Sequence, residues 1–207
     1  MRIRKKSIYT IYVKRFLDIV FSSLLLFFLL LPIFIIAVII RSESRGNAIF
    51  KQNRIGRGGR VFVCYKFRTM QITAPKAMSA AEFKDREKYI TRVGAFLRRT
   101  SLDEIPQLFN VLKGNMSLIG PRPLICEEQS IHRERMDKGV YALRPGITGM
   151  AQISGRNLLG DDEKLSKDMY YLENVKLWLD IKILFRTVSK VFKGEGIVNE
   201  AGDEAKN

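Results

Sequence analysis

The hydrophobic pattern divides the chain into one long apolar run and a series of shorter, mixed segments. Ile19 to Ile40 reads IVFSSLLLFFLLLPIFIIAVII, with no charged residue. About 20 apolar residues suffice to cross a hydrocarbon core, so a crossing helix is the plain reading. A cleaved signal peptide fits poorly, because no small-residue cleavage site follows the run. Two features favour another path. Basic residues flank both ends: Lys14 and Arg15 before, then Arg41, Arg45, Lys51, Arg54, Arg57 and Arg60 after. Positive residues favour the cytoplasmic side, so both ends are asked to stay there. Pro32 lies inside the run, where it removes a backbone hydrogen bond and kinks or breaks a helix. At 1.5 Å per residue each arm would measure on the order of 15–20 Å. That reaches through one leaflet but not through a core of roughly 30 Å. A re-entrant helix–break–helix over 16–41 satisfies both features; a Pro-kinked crossing helix is the alternative. Asp18, at the boundary, is placed to pair with Lys14 or Arg15 one turn back.

Downstream, AIFKQNRIGRGGRVFVCYKFRTM predicts two strands joined by a tight turn at Gly56, Gly58 and Gly59. These glycines match neither G-x-G-x-x-G nor the P-loop pattern. Residues 71–80 read as loop, 81–99 as a charged helix and 103–113 as another. Gly114 to Gly120 with Pro-Arg-Pro at 121–123 reads as an irregular link, 144–157 as a loop-rich block, and 161–193 as mostly helix. In the last helix Leu177, Ile181, Leu184, Val188 and Val191 recur every three or four residues, widened by Trp178, Phe185 and Phe192, with Lys176, Lys182, Arg186, Lys190 and Lys193 supplying charge. Such a helix either packs its stripe on the core or lies in the headgroup plane of a membrane. The fold class is therefore α+β, mostly helical. It has a basic lead-in (1–15, six Lys or Arg and no acid), the membrane segment (16–41), one compact domain (42–193) and a loose polar tail (194–207).

Composition sharpens the choice of partner. Lys and Arg number 36 against 21 acidic residues, a formal charge of +15. That excess favours polyanions: nucleic acid, anionic lipid headgroups or phosphorylated substrates. Nucleic acid is disfavoured, since the aromatics do not interleave with the basic residues as a stacking platform. Cys64 and Cys126 lack C-x-x-C spacing, and the single histidine, His132, cannot complete a zinc site with them. We read two ordinary thiols in a reducing cytoplasm, and a surface or loop histidine.

The segment LRRTSLDEIPQLFNVLKGNMSLIGPRP carries the candidate chemistry. Ser101-Leu-Asp-Glu104 matches a capping box, whose Ser and Glu would only satisfy helix amides. Pro106 disfavours that version, because a helix capped at Ser101 would need the missing Pro106 N–H. Starting the helix at or just after Asp103 instead sets Asp103 at the positive end of the helix dipole, which favours a carboxylate and nearby anions. Arg98 and Arg99 lie just upstream. Locally, a cap with surface ion pairs and a functional carboxylate site both remain open.

The chain resembles the small monotopic phosphoglycosyl transferases, the initiating sugar transferases of bacterial glycoconjugate and exopolysaccharide assembly. The resemblance runs from about Lys14 to about Gly196. Its elements occur in order: a basic start with Asp18, the apolar segment with its Pro, Lys66-Phe-Arg-Thr-Met70, Ser101-Leu-Asp-Glu-Ile-Pro-Gln107, Gly120-Pro-Arg-Pro123, and Arg144-Pro-Gly-Ile-Thr-Gly149 leading to Gly155-Arg-Asn157. It implies a catalytic domain on the cytoplasmic face of the bacterial inner membrane, seated on a re-entrant helix and fringed by interfacial amphipathic helices. It further implies a UDP-sugar donor and a polyprenol phosphate acceptor. One departure stands out: the family's helix break is usually Ser-Pro, and here it is Leu31-Pro32, so no hydroxyl can satisfy the freed carbonyl.

The resemblance implies Asp103 as nucleophile, Glu104 as metal support or helper of the acceptor step, and Arg98 as a contact for the lipid phosphate. Mg²⁺, held partly by Asp103 and Glu104 and mainly by the diphosphate, suits attack by an anion on an anion. Lys66 and Arg68 alternate with Tyr65 and Phe67, so on a strand both share one face, expected near the site. Arg122 is fixed between two prolines, and Arg144 and Arg156 lie on Gly-containing loops, as candidates for the nucleotide diphosphate. A homodimer is compatible with the sequence. The rival reading is a non-enzymatic membrane adaptor that binds only anionic lipid.

Overall fold

The computed structural model describes residues 8–74, 86–155 and 159–193. A π-helical turn, Tyr9–Val13, leads into α1, Lys14–Glu43, a helix of 30 residues with Pro32 inside it. Helix continues through Pro32, so the expected break is no gap in the helical run. Proline deletes one intrahelical bond and the surrounding ladder carries on. The buried positions of α1 form a single stripe, Asp18, Ser22, Leu26 and Ile40, and most of its remaining apolar surface is exposed.

Both ends of α1 are fastened to the same domain. At the start, Arg15 donates from Nη1 to the Val111 carbonyl (2.7 Å) and from Nη2 to that of Leu112 (3.1 Å). Asp18 accepts from the Leu118 amide (3.0 Å) and the Ser117 hydroxyl (3.1 Å), and Lys14 donates to Asp180 (2.6 Å). The pairing expected between Asp18 and Lys14 or Arg15 gives way to these longer-range partners. At the far end, Ile40 packs with Ala48, Phe67 and Leu97.

The two predicted strands are β1, Ile49–Ile55, and β2, Val61–Phe67, antiparallel with Ile49 opposite Phe67 and Ile55 opposite Val61. Their turn is the one read from the sequence, with Gly58 and Gly59 at φ of +69° and +73°. Each edge of this ribbon is braced at one stretch. Asn110 accepts from the Tyr65 amide (3.0 Å) and donates to the Val63 carbonyl (2.7 Å), while the Ile55 amide donates to Leu124 (3.1 Å). A two-stranded ribbon is marginal alone, and this bracing supplies the missing partners.

Helix α2 is Arg92–Thr100, capped by Thr91, whose hydroxyl accepts from the Gly94 amide (2.9 Å). Of the helix predicted over 81–99, residues 81–85 lie outside the described residues and 86–89 form a 3₁₀ turn. The helix predicted over 103–113 is a 3₁₀ turn, Leu102–Glu104, followed by α3, Gln107–Leu112, with Pro106 at its N-cap. No capping box forms. Ser101 adopts φ +58°, makes no side-chain cap bond, and reverses the chain between α2 and the turn.

The link and the loop-rich block hold two three-residue strands, β3, Ser117–Ile119, and β4, Gly146–Thr148, paired in parallel. Between them lies α4, Gln129–Asp137; after them come α5, Met150–Ser154, α6, Asp161–Asn174, and α7, Leu177–Lys193. His132 is a helix residue bonded to Tyr141 Oη and the Ile125 carbonyl, rather than a surface or loop histidine. On α7 the periodic stripe found in the sequence is not the packed face. Leu179 and Ile183 enter the core, whereas Leu177, Trp178, Leu184, Phe185, Val188 and Val191 stay exposed.

Helix α2 crosses the end of β2 with no room to spare. A Cβ on Gly94 would lie 2.0 Å from the Thr69 carbonyl oxygen. Gly94→Ala should push α2 off this contact and lower stability by about 1–3 kcal/mol. Thermal unfolding in detergent micelles checks it, with Ala95→Gly as the control for helix propensity.

Candidate active site

The turn Leu102–Glu104 brings two adjacent carboxylates out of water. Asp103 is 9% exposed and Glu104 8%. Burying a carboxylate is costly unless it is paired, and Lys66 supplies a partner, its Nζ 2.8 Å from Glu104 Oε1. β2 therefore delivers one of the expected cations to the carboxylate turn. A narrow cleft beside this pair is lined also by Arg54, Arg122, Gln107 and Gln152. Three cations and a carboxylate thus share one small space, an arrangement suited to phosphorylated ligands.

Two buried anchors orient the cations. Arg54 donates from Nη1 to the Pro123 carbonyl (2.5 Å) and from Nη2 to Gln52 (2.7 Å). Burial, and then the nearby Arg122 guanidinium, pull the Arg54 pKa below its ordinary value. Arg122 itself is held through its backbone. Arg135 donates from Nη1 to the Arg122 carbonyl (2.7 Å) and from Nη2 to Asp168, and the Arg135 and Asp168 side chains are 2% and 1% exposed. Burial raises the Asp168 carboxyl to about 6 against the pull of Arg135, which still leaves it ionised at neutral pH.

The remaining expected residues are dispersed. Arg98 lies on α2 with Nε on the Thr69 hydroxyl (2.8 Å), above the carboxylate turn against which α2 packs. Arg68 is a correction. Its Nη1 donates to Arg45 (2.5 Å) and its Nη2 to Ser44 (2.7 Å) and Ile40 (3.4 Å), so it closes the C-terminal end of α1 instead of joining Lys66. The strand ends at Phe67, and the two-residue alternation does not carry over to position 68. Arg144 donates from Nε to the Gly114 carbonyl (3.0 Å). Arg156 lies outside the described residues. Sequence reasoning missed Arg54 and Gln152. The available signal for Gln152 was a polar residue between Ala151 and Ile153, both of which are buried.

The family follows from the comparisons. A family model described as bacterial sugar transferase matches residues 9–194, and the chain belongs to that family. It is 40% identical over 199 residues to the undecaprenyl-phosphate galactose phosphotransferase of Salmonella typhimurium, covering 89% of this chain and 41% of the relative. It is also 40% identical over 188 residues to the UDP-glucose:undecaprenyl-phosphate glucose-1-phosphate transferase of Klebsiella pneumoniae, covering 86% and 40%. With the uncharacterized sugar transferase EpsL of Bacillus subtilis it shares 39% identity over 184 residues, 89% of either length. The chain spans about two fifths of the length of the first two relatives.

The buried Arg135–Asp168 pair yields a stability prediction. Asp168→Ala strands a buried guanidinium and should cost about 3–5 kcal/mol, whereas the Arg135→Met, Asp168→Leu double variant should lie close to wild type. Thermal melts of the three proteins check this.

Proposed function

We propose that the chain transfers a sugar phosphate from a UDP-sugar to a polyprenol phosphate of the undecaprenyl type, releasing UMP and leaving a polyprenyl diphosphate sugar. The observation that carries this reading is the buried Asp103–Glu104 pair, whose Glu104 is paired with Lys66 and shares a cleft with Arg54 and Arg122, in a chain that also carries a long, exposed apolar helix. The relatives named for undecaprenyl phosphate and UDP-glucose support it. The process is the first membrane step of glycoconjugate or exopolysaccharide assembly.

Phosphoryl-type transfer requires positioning and charge neutralisation more than covalent ingenuity. An Asp103 oxygen attacks the phosphorus that bears the sugar, the bond from that phosphorus to UMP breaks, and UMP departs with the electron pair. An oxygen of the polyprenol phosphate then attacks the same phosphorus, breaking its bond to Asp103 and restoring the carboxylate. Lys66, Arg54 and Arg122 offset the charge that gathers in the cleft, and the buried setting strengthens their action. By the resemblance, Arg98 takes the lipid phosphate and Arg156 the diphosphate. Arg68 and Arg144 act at one remove, as scaffolding.

Among the described residues no group of three or more His, Cys, Asp and Glu gathers. Mg²⁺ is commonly held by one or two carboxylates while phosphates and water complete its shell. The Asp103–Glu104 pair fits that pattern, and the ion would neutralise the donor diphosphate there.

Helix α1 enters the membrane without crossing it in this reading. Asp18 and Ile40, 22 residues apart, would stand about 33 Å apart on a straight helix. A crossing helix would hold them on opposite faces, yet both are fastened to one domain. Basic residues at both ends support a cytoplasmic-face, re-entrant seat with its bend at Pro32. The exposed Trp178 and Phe185 on α7 suit the headgroup plane beside it. The domain 42–193 is then the catalytic unit.

Intact-mass measurement after exposure to a panel of UDP-sugars, without lipid, tests the chemistry. Wild type should gain one sugar phosphate and release UMP; Asp103→Asn should do neither, and an Asp103→Asn protein with normal turnover sinks the mechanism. Topology is tested with Ile8→Cys and Ser42→Cys in a chain whose own cysteines are replaced. An impermeant thiol reagent should modify both from the cytoplasmic face only, and labelling from opposite faces would contradict the re-entrant seat.

A further inference from the structure

Gln152 presents an unexplained cost. Its Oε1 and Nε2 are both shielded from solvent, and neither has a hydrogen-bond partner among the described residues. A buried amide left without partners is destabilising, and such groups call for a reason. The carboxamide sits in close quarters: a Cβ on Gly149 would meet the Gly120 carbonyl oxygen at 2.0 Å and Gln152 Oε1 at 2.8 Å. The side chain lines the same cleft as Glu104, Lys66, Arg54 and Arg122.

Resting on the transferase reading above, we propose that Gln152 hydrogen-bonds a ring substituent of the donor's sugar and so takes part in choosing the sugar. Phosphate oxygens only accept, and three cations already serve them in the cleft. A carboxamide offers one acceptor and one donor side by side. It matches groups that do both, which on a UDP-sugar are the ring hydroxyls and N-acyl groups, or the uracil edge. The sugar is carried on the phosphorus that Asp103 attacks, next to Glu104, which places the sugar nearer than the base. A site built to bond a hydroxyl rejects the analogue that lacks it, because its own polar group is then left unpaired.

The test uses the full chain in detergent micelles and measures UMP release from UDP-glucose, UDP-galactose, UDP-N-acetylglucosamine and the monodeoxy analogues of the best donor. It compares wild type with Gln152→Leu and Gln152→Met. Wild type should lose about 10- to 100-fold in rate with one deoxy analogue, the cost of one buried polar group left unpaired, and both variants should treat that analogue and its parent nearly alike. Their melting temperatures should equal or exceed that of wild type, since two unpaired atoms have been removed; a structural glutamine would instead lower them. Variants that keep the wild-type preference across the panel overturn the assignment. So does an unchanged preference with weakened inhibition by UMP, which would place the amide on uracil. A wild type inert with every donor overturns the transferase reading along with this one, whereas an active wild type with indifferent variants overturns this one alone.

Discussion

Arg68 donates to the Ile40, Ser44 and Arg45 carbonyls at the end of α1, while Arg15 and Asp18 grip the core at its beginning. The last carbonyls of a helix have no intrahelical partner, and a guanidinium both satisfies them and answers the negative end of the dipole. The carboxylate of Asp18 bonds a backbone amide, again a charge-assisted contact. These bonds clamp an apolar helix, which could otherwise pivot freely, at both ends. The position of this exposed apolar helix relative to the carboxylate turn is thereby set by the domain and not by a linker. The proposed transfer, in which a soluble nucleotide and a lipid-borne phosphate meet at one site, requires such a fixed position.

The same logic explains why the cleft is assembled from so many separate segments. Lys66 comes from β2, Glu104 from the turn after α2, Arg122 from the link before α4, and Gln152 from α5. Several of these segments are steadied by contacts outside the cleft. Asn110 fixes the edge of β2, Arg135 fixes the Arg122 carbonyl, and Gly94 lets α2 press onto Thr69. Burying the Arg135–Asp168 pair is expensive in desolvation and gains little stability over apolar residues of the same shape. Its return is orientation: a loop with proline on both sides of Arg122 has few amides with which to anchor itself.

Helix α7 shows how a correct element can carry an incorrect face. Its sequence has two apolar stripes, one through Leu177, Leu184 and Val188, the other through Leu179 and Ile183. Periodicity identifies the helix but cannot rank the stripes, and the longer, more aromatic one is the exposed one. Asp180 decides the matter. It receives bonds from Tyr9 (2.5 Å), Lys14 (2.6 Å) and Tyr171 (2.6 Å), and this buried network turns the Leu179 and Ile183 side inward.

What was legible in the sequence is what depends on neighbours along the chain. The apolar run, the β1–β2 hairpin with its glycine turn, the helical 161–193 region and the Asp103–Glu104 candidate all rest on local spacing and turn chemistry. The strands β3 and β4 were not legible, because three residues carry no alternation and their pairing joins segments 29 positions apart. The targets of Arg68 and Arg144 were equally hidden, since a long cation can bond any carbonyl the fold brings within reach. The Arg54 and Gln152 contributions to the cleft were hidden for the same reason. The sequence by itself determined the apolar helix, the family motifs and the carboxylates. The tertiary structure alone decided which cations face those carboxylates and which hold the scaffold, because long-range contacts, not residue type, direct a flexible side chain.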